Sequence, residues 1–533
     1  MVRISAQTVK LPLKFFMIAS LTFATYSRAL AKEYVIKLKE VQSFQDTVFS
    51  LNYEKNLKVN DTHETGKLVL VDLLEEEANA IQNQIKQLNS IHDVDYIVPN
   101  IKFHAFDAPN DPQLSSQWAL TKVHALDAWD IQVGSPDVVV AVIDTGINWK
   151  HEDLMDHIWS NTAEIAGNGI DDDQNGFIDD VRGWDFRNKD NNPDDETSSK
   201  NPGHGTHCAG IIGAVSNNNK GIAGIARKVS LMPVRFLGSD GSGDLMSAAK
   251  AIDYAANNGA DIISASWGAQ VARANVGPIL EAIERAGEKG VIFVAAAAND
   301  GRNNDTREIY PSNAGFDNVI SIAASDPDDK KPSWSNFGKA TVDLSSPGLN
   351  ILSTVPVNKY QNLSGTSMAT PLAAGAVALL LNQAEEDSRL LKPIEIRSIL
   401  QSTGAKVEIE TACNCRIDVA AALENVTKEA LTIVPNASTL EVNGTKSFYG
   451  IGGQAPYSFS SSDSSIASIA EDGTLTAVAN GETIITITDA TGDSAQSSKI
   501  YVGKTTGGGG GQCPFGPLCD VMCQINPSLP WCN

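Results

Sequence analysis

Five apolar, β-prone runs separated by helical stretches constrain the fold of the central part of the chain. The runs are SPDVVVAVID, KVSLMPVRF, ADIISASWG, GVIFVAAAAN and NVISIAAS. Segments with helical character, such as LMSAAKAIDYAANN and GPILEAIERAGEKG, lie between them. Continuous apolar strands that alternate with helices predict a doubly wound, mostly parallel α/β sheet covered on both faces.

The flanks of this central part differ from it in composition, and 533 residues are too many for one hydrophobic core. Residues 32–107 predict a small α+β domain, with β-prone runs and a helical pattern at 74–88. Residues 431–503 alternate Ser, Thr, Ile and Val between Gly and Asn, which predicts an all-β domain. A Gly-rich linker at 504–512 and a Cys-rich tail at 513–533 follow.

Residues 1–31 have the pattern of an export signal. Basic residues precede an apolar stretch at 15–24, and Ala29 and Ala31 supply small residues at the positions that a signal peptidase reads. That stretch is too short to span a membrane, and no later segment has the long apolar run of an anchor. We therefore expect a secreted, extracellular protein with no membrane span.

The acidic composition excludes one class of partner. The net charge is −23 and the isoelectric point about 4.7. Such a surface repels phosphate backbones, so nucleic acid is not an expected partner. Its carboxylates also offer oxygen ligands to calcium.

Four residues stand in contexts that suit acyl transfer, which needs a nucleophile, a base, a group that orients the base, and oxyanion donors. Asp144 ends the apolar strand VVVAVI, and Asn299 ends VIFVAAAA. His204 lies in GHGTHCAGIIGAV, where His207 is a competing candidate. Ser367 opens the small-residue helix of LSGTSMATPLAAGAVALLL, whose N-terminus favours negative charge.

Each residue alone has an ordinary alternative: a turn Asp, a structural His, an N-cap Ser and a turn Asn. The joint pattern is far more specific, and it resembles the subtilisin-like (subtilase, peptidase S8) family in the order Asp, His, Ser. PNDPQLSSQWALTKVHALDAWD is similar to the thermitase-like branch, and HGTHCAG also occurs in proteinase K relatives. The resemblance covers residues 108–426.

The resemblance implies a serine-type endopeptidase (EC 3.4.21) with the subtilisin-like α/β fold. Asp144 would orient His204, which acts as general base and then acid, and Ser367 would be the nucleophile. Asn299 and the Ser367 amide would form the oxyanion hole. The substrate would bind as an added strand. The residues implied for substrate binding are Gly241, Ser242, Gly243, Ser266, Trp267, Gly268, Ala298 and Ile309.

Departures from the family pattern leave these four residues intact. Ala298 stands where the family usually has Gly, and Leu372 stands where a His is common. Ile309 occupies a position that is often Gly at the floor of the main specificity pocket. We therefore expect a shallower pocket that prefers small side chains.

Two flanking regions also resemble known domains. Residues 32–107 are similar to an inhibitor I9-type prodomain, which implies an inactive precursor, an intramolecular inhibitor and self-cleavage near 106–108. The alternative is an independent α/β binding domain. Residues 431–503 resemble bacterial immunoglobulin-like repeats of the second type, which implies a sandwich used as a spacer or for attachment to substrate or the cell envelope.

The segment GIDDDQNGFIDD has the spacing of a calcium loop. The twelfth position, where an EF-hand has Glu, is Arg182, so a nearby Asp must close the site; the alternative is a solvated acidic loop. The candidate ligands are Asp171, Asp173, Asn175, Phe177, Asp179 and Asp180. Family resemblance alone adds Asp111, Asp153 and Asn218. We expect structural Ca²⁺ and no organic cofactor.

Seven Cys is an odd number for an exported chain. Cys208 is expected as a buried free thiol. Cys413 and Cys415 are one residue apart, so a bridge between them is expected to be strained, and their partners stay open. Two disulfides are expected among four tail residues with three possible connectivities, namely Cys513, Cys519, Cys523 and Cys532.

The leading hypothesis is a monomeric, broad-specificity extracellular endopeptidase acting on proteins and peptides. A narrow-specificity processing protease is a second hypothesis, although GSDGSGD and SASWGAQ lack a dense acidic set. An adhesin with an inactive protease domain is a third, although such proteins usually lose a catalytic residue and this chain keeps all four.

Overall fold

The structure is a computed structural model, and it describes residues 33–39, 44–54, 57–73, 88, 94–100 and 109–503. The chain divides into two compact units, Met1–Phe106 and Asp107–Asn533. Several predicted features lie outside the described residues: the export signal, most of the helix over 74–88, the cleavage site near 106–108, the Gly-rich linker and the four tail cysteines.

The first unit contains a four-stranded antiparallel sheet with the order β2-β3-β1-β4. Its apolar positions alternate along the strands, so that Ile36, Leu38, Val69 and Val71 share one buried cluster. This α+β arrangement confirms the prediction for the N-terminal region. Its elements are β1 (Glu33–Leu38), α1 (Phe44–Leu51), β2 (Leu57–His63), β3 (Leu68–Leu73) and β4 (Val94–Pro99).

The second unit contains a nine-stranded sheet with the order β16-β17-β13-β12-β10-β8-β5-β7-β6. From β17 to β6 the neighbouring strands pair in parallel, as the sequence predicts, and β16 joins one edge antiparallel. The strands are β5 (Gly134–Asp144), β6 (Trp184–Asp185), β7 (Lys228–Arg235), β8 (Ile262–Ala265), β10 (Ile292–Ala296), β12 (Val319–Ser325), β13 (Leu344–Pro347), β16 (Ala405–Lys406) and β17 (Cys415–Arg416).

Helices cover both faces of this sheet. Val140 and Val142 of β5 belong to one apolar cluster with α4 and α7, whereas Ala141 and Ile143 belong to the other with α5 and α6. This alternation is the period-two pattern of a strand buried on both sides. The helices are α2 (Trp118–Lys122), α3 (Ala125–Trp129), α4 (His204–Gly213), α5 (Leu245–Asn257), α6 (Gly277–Glu288), α7 (Thr366–Glu386), α8 (Pro393–Thr403) and α9 (Val419–Thr427).

Helix α7 is the central helix of the unit. It is long and apolar enough to cross a membrane by length and composition, but 89% of its most apolar window is buried inside the unit. Small residues dominate it, and this lets it pack closely against α4 and the sheet. These features are those of a core helix.

Two hairpin-like pairs flank the sheet. Strand β9 (Ala269–Gln270) pairs antiparallel with β11 (Ile309–Tyr310), and β14 (Ile351–Val355) pairs antiparallel with β15 (Lys359–Leu363). The first pair places Ile309 opposite Gln270, five residues beyond the end of β8.

A β-rich region follows α9, and it confirms the predicted all-β fold. Ile433, Phe448, Leu475 and Ile487 lie in its own buried cluster. Its strands are β18 (Thr432–Val434), β19 (Thr439–Leu440), β20 (Thr445–Ser447), β21 (Tyr449–Ile451), β22 (Ser458–Ser461), β23 (Ala467–Ile469), β24 (Thr474–Ala477), β25 (Gly481–Thr483), β26 (Ile485–Thr488), β27 (Ser494–Gln496) and β28 (Ile500–Val502).

Cys413 and Cys415 are bonded to each other, which settles the partners that the sequence left open. Their Cα atoms lie 5.1 Å apart, within the ordinary span of a disulfide. The intervening Asn414 has a φ of 48°, in the left-handed region, and the expected strain of this bridge stays a prediction. Cys208 is free and buried, as expected.

Candidate active site

The candidate catalytic residues stand at the ends of elements that converge at one edge of the sheet. Asp144 is the last residue of β5, and Asn299 lies three residues beyond β10. His204 begins α4, and Ser367 is the second residue of α7. Because carboxyl ends of parallel strands share one edge, this geometry creates a crevice lined by groups from distant parts of the chain.

Asp144 and His204 form a direct pair. His204 Nδ1 lies 2.8 Å from Asp144 Oδ1; the carboxylate is fully buried, whereas the imidazole side chain is 26% exposed. A proton on Nδ1 satisfies this contact and leaves Nε2 free to accept another. Asn201 Oδ1 accepts from the His204 amide at 2.8 Å and so fixes the start of α4.

Opposing effects act on the pKa of His204. Burial lowers the pKa, but the charge and the hydrogen bond of Asp144, with the charge of Asp195, outweigh it and raise the pKa above its ordinary value. The imidazole is therefore a base whose protonated form is stabilised by neighbouring carboxylates.

Gly205 allows the close approach that this pair requires. A Cβ at this position would overlap the carbonyl oxygen of Gly146 and come within 3.1 Å of the Asp144 Cβ. A larger residue would therefore push α4 away from the end of β5.

His207, the competing candidate, has a different environment. It is completely buried, and its Nε2 contacts the carbonyl oxygen of Gln361 at 2.9 Å. Burial lowers the pKa of His207 to about 3, so it is neutral at physiological pH. The structure thus pairs Asp144 with His204, and gives His207 a packing position.

Ser367 is held at the junction of three segments. Its Oγ donates to the carbonyl oxygen of Ser266 at 3.2 Å. The Ser367 carbonyl accepts from Ser266 Oγ at 2.9 Å and from the Cys208 thiol at 3.4 Å. Burial raises the pKa of Cys208, so this neighbour is a neutral thiol.

Asn299 is oriented by a residue that the sequence did not single out. Its Oδ1 accepts from the Thr366 amide at 2.8 Å and from the Thr366 hydroxyl at 3.1 Å. A Cβ placed on Gly365 would lie 3.3 Å from Asn299 Nδ2 and 3.5 Å from the Ser367 amide nitrogen. The two nitrogens therefore border one small space that Gly365 leaves open.

Ala298 adopts a backbone conformation that suits the glycine usual at this position. Its φ of 85° lies in the left-handed region, which a residue with a Cβ seldom occupies. Its amide donates to Thr366 Oγ1 at 3.2 Å, which ties it to the segment that orients Asn299. Strain of this kind is typical of functional sites.

The segments predicted to bind substrate lie around this site. The Trp267 indole donates to the Ile143 carbonyl at 2.8 Å, which holds the segment after β8 against the end of β5. A Cβ on Gly268 would lie 3.2 Å from Ile309 Cγ2, so these two predicted positions are adjacent. The exposed turn of Gly241, Ser242 and Gly243 begins six residues beyond the end of β7.

The acidic segment 164–180 brings together only part of the predicted calcium ligands. Asp171 caps the Asn175 and Gly176 amides at 3.0 and 2.8 Å, and Asp179 caps the Asn168 and Gly169 amides at 3.1 and 3.0 Å. The ring of Phe177 packs against Trp184 and Tyr254.

A carboxylate cluster in the same segment fits a hard cation. Single oxygens of Glu164, Asp173 and Asp180 lie within 4.8 Å of one another. Asn161 Nδ2 and Asn175 Nδ2 each donate to both Asp173 and Asp180. Oxygen donors from several carboxylates are the set that Ca²⁺ prefers. Glu164 was missed because it precedes the motif and only the folded loop brings it there.

The second predicted ligand set also comes together. Asn218 Nδ2 donates to Asp153 Oδ1 at 2.7 Å, and the amides of Asn217 and Asn218 donate to Asp111 at 3.0 and 3.4 Å. Burial is the largest cause that raises the pKa of Asp111, and the charge of Asp153 also contributes. Both carboxylates accept hydrogen bonds from the loop 217–222, and their oxygen atoms are of the kind that Ca²⁺ prefers.

Comparison with known proteins agrees with this geometry. The model of the subtilase family matches residues 135–452. Thermitase of Thermoactinomyces vulgaris is 39% identical over 300 residues, which are 56% of this chain and 92% of that protein. A thermophilic serine proteinase of Bacillus sp. (strain AK1) is 35% identical, over 61% of this chain and 71% of its own. An alkaline protease of Shouchella clausii is 30% identical, over 70% and 84% respectively.

The β-rich region has a match of its own. The model of the intimin immunoglobulin-like domain matches residues 445–491. The predicted immunoglobulin-like domain is therefore confirmed, with intimin as the matching model.

Proposed function

The chain belongs to the subtilase family of serine endopeptidases, and on that premise we propose that it cuts exposed protein chains outside the cell through an acyl-enzyme on Ser367. The observation that carries this proposal is the 2.8 Å contact between His204 Nδ1 and Asp144 Oδ1. The contact between Cys208 of α4 and the Ser367 carbonyl, at 3.4 Å, supports a catalytic set in which Ser367 lies close to this pair.

In the proposed first step, His204 Nε2 takes the proton of Ser367 Oγ as the oxygen attacks the substrate carbonyl. The resting hydroxyl donates to the Ser266 carbonyl, so a rotation about its Cα–Cβ bond must turn it towards His204. Asp144 keeps the other ring proton on Nδ1 and stabilises the imidazolium. His204 then protonates the leaving amine, and water repeats the sequence on the ester.

The oxyanion of each tetrahedral intermediate would occupy the space that Gly365 leaves open. Asn299 Nδ2 and the Ser367 amide border that space. Because Thr366 holds Asn299 Oδ1 with two hydrogen bonds, the amide is fixed before the charge develops. Preorganised donors of this kind stabilise the transition state more than the ground state.

The substrate would bind as an extended strand between the turn at Gly241–Gly243 and the segment Ser266–Gly268. Ile309 is 3% exposed beside Gly268, and with Ala298 it would limit the depth of the main pocket. We expect a preference for small side chains over Phe. Equal cleavage after Phe and Ala in a peptide library would contradict the pocket assignment, and Ile309→Gly is the matched variant expected to accept Phe.

We infer that Ca²⁺ binds at Glu164, Asp173 and Asp180, and at Asp111, Asp153 and Asn218. Bound calcium would supply positive charge that offsets the crowded carboxylates. A cation that binds only the folded chain stabilises it by mass action and so limits self-digestion.

We also infer that the protein is exported as an inactive, monomeric precursor. The signal pattern of residues 1–31 and the α+β region that precedes the protease support this. The immunoglobulin-like domain would hold the enzyme at a substrate or at the cell envelope. Tyr449 and Asn436 of that domain contact Glu395 and Ser398 of α8, at 3.0 and 3.1 Å, so the domain packs against the protease.

The test is to express the chain and its Ser367→Ala variant side by side with calcium and to measure intact masses of the secreted products. We expect the wild type to lose about 107 residues, as the predicted boundary requires. The variant should keep them, because it lacks the nucleophile.

Two outcomes would count against the proposal. Processing of the Ser367→Ala variant in a protease-free host would exclude Ser367 as the nucleophile of self-cleavage. A wild type that keeps residues 32–107 and cleaves no casein after mild trypsin treatment would favour an inactive adhesin.

A further inference from the structure

A second buried carboxylate, Asp195, lies behind the Asp144–His204 pair. It is 7% exposed and accepts hydrogen bonds at both oxygens. Its Oδ1 accepts from Thr145 Oγ1 at 2.9 Å and from Asn201 Nδ2 at 3.1 Å. Its Oδ2 accepts from the Thr206 amide at 2.9 Å and from the Thr206 hydroxyl at 2.7 Å. Burial raises the pKa of Asp195 above its ordinary value, and the four donors oppose that shift, because an ionised carboxylate only accepts.

The partners of Asp195 are the chain neighbours of the catalytic pair. Thr145 follows Asp144, and its hydroxyl also accepts from the Gly205 amide at 3.0 Å. Asn201 accepts from the His204 amide, and Thr206 stands two residues after His204. Asp195 therefore ties the end of β5, the loop before α4 and the first turn of α4 into one network.

Several charged and titratable groups surround this network. Asp144 faces it from β5, and its Oδ2 is buried without a hydrogen-bond partner among the described residues. Cys208 and His207 face it from α4 and are neutral, as described above. Arg235 faces it from β7, but donates to Asp185 and Glu196 at 2.9 and 2.8 Å. Asp194 accepts from the Asp195 amide and from Asn148.

We propose that Asp195 is a positioning residue for catalysis, a second buried negative charge that stabilises the imidazolium of His204 and fixes the first turn of α4. This inference rests on the proposed role of His204 as the base. It differs from that role because Asp195 acts through space and through Thr145 and Thr206, and does not touch the reacting atoms.

The electrostatic environment supports this arrangement. The charge of Asp195 is one of the causes that raise the pKa of His204, after the effects of Asp144. Attraction between buried charges is screened less than at the surface, so its removal should be measurable. A purely structural role for Asp195 would change stability and would leave the titration of His204 unmoved.

The experiment is the pH dependence of kcat/KM for a small ester, measured on the mature enzyme and on Asp195→Asn, Asp195→Ser and Asp190→Asn. Asp190 is an exposed carboxylate five residues away and serves as the matched control. The acidic limb reports protonation of the free enzyme's base. Thermal unfolding at each pH shows that every variant is folded where its activity is measured.

We expect a wild-type midpoint above about 6.5, the ordinary histidine value. Removal of the Asp195 charge should lower the midpoint by about half a unit or more, so that kcat/KM on the acidic limb rises about threefold relative to its plateau. Asp190→Asn should leave the midpoint in place. In Asp195→Asn, the side-chain NH₂ group would face two hydrogen-bond donors and so disfavour folding. Asp195→Ser therefore repeats the test without that group.

Several results would overturn the inference. These are a wild-type midpoint at or below 6.5, an unchanged midpoint in a folded Asp195 variant, or an equal shift in Asp190→Asn. Failure of both Asp195 variants to fold would assign the residue to folding alone. Full activity in Ser367→Ala would instead contradict the proposed function, so the two failures can be told apart.

Discussion

The sheet-edge site and the acidic segment 164–180 both bring carboxylates close together, but their negative charge is offset in different ways. At the sheet edge, Asp144 meets an imidazole, and Asp195 meets four donors. In the acidic segment, Glu164, Asp173 and Asp180 lie within 4.8 Å of one another. The first site offsets its charge with an imidazole and hydrogen-bond donors, whereas the second offers the oxygen atoms of the proposed Ca²⁺ site.

This difference separates catalysis from stability. Changes at the sheet edge should alter the rate of the folded enzyme, because in the proposed mechanism the groups there react, orient the base or stabilise its positive charge. Changes in the acidic segment should alter how long the enzyme stays folded, because the proposed calcium would stabilise only the folded chain.

The largest expected effect is a loss of rate, and it should distinguish the two histidines of α4. His204→Ala should lower kcat about 10⁴-fold or more, since it removes the base of a cooperative set. His207→Asn should chiefly lower stability, because His207 is a buried packing residue bonded to Gln361. Steady-state kinetics with thermal unfolding measures both, and a comparable rate loss in a folded His207 variant would contradict the assignment.

Asn299→Ala is the next largest perturbation of the sheet edge. Loss of one oxyanion donor should lower kcat about 10²–10³-fold with little change in KM. Thr366→Val keeps the hydrogen bond from the backbone amide to Asn299 but removes the one from the hydroxyl, so it should lower kcat less than Asn299→Ala does. The proposed geometry would be wrong if Asn299→Ala raised KM alone.

Calcium removal should act on the acidic segment. A cation present at 100 times its Kd contributes about 2.7 kcal/mol, so chelation should lower Tm by several degrees. Asp173→Asn should lower Tm in calcium and reduce the effect of chelator. Scanning calorimetry of the Ser367→Ala background avoids self-digestion, and an identical response in wild type and Asp173→Asn would place the calcium elsewhere.

The pH dependence of stability should change as well, and the two histidines should change it in opposite directions. The pKa of His204 is raised on folding, so its stabilisation is present below about 6.5 and is lost as pH rises through the folded pKa. The pKa of His207 is lowered to about 3, so it destabilises the fold as pH falls from 6.5 towards that value. The free energy of unfolding, measured across pH 3–8, should change its slope with pH in opposite directions in His204→Ala and His207→Asn. Equal slopes in both variants would contradict the stated environments.

The sequence predicted the elements that local pattern encodes. The apolar runs ending in Asp144 and before Asn299 are strands of the parallel sheet, and the small-residue run after Ser367 is its central helix. These patterns are continuous along the chain, so the fold and the candidate catalytic residues followed from them and from the family resemblance.

What the sequence did not predict depends on contacts between distant loops. Glu164 completes the carboxylate cluster from outside the GIDDDQNGFIDD motif, and Asp195 lies in a polar loop with no periodic pattern. Thr366 orients Asn299 across 67 residues of sequence. Such side chains acquire their partners only in the folded chain, and nothing local marks them.

The central claim, that Ser367 is the nucleophile activated by His204, is tested most directly by covalent labelling. The mature enzyme and its His204→Ala and Ser367→Ala variants are treated with a phosphonate that modifies activated serines, and peptide masses locate the adduct. The account predicts one adduct, on Ser367 of the wild type, with slow labelling in His204→Ala and none in Ser367→Ala. An adduct on another residue, or equal labelling rates in wild type and His204→Ala, would contradict it.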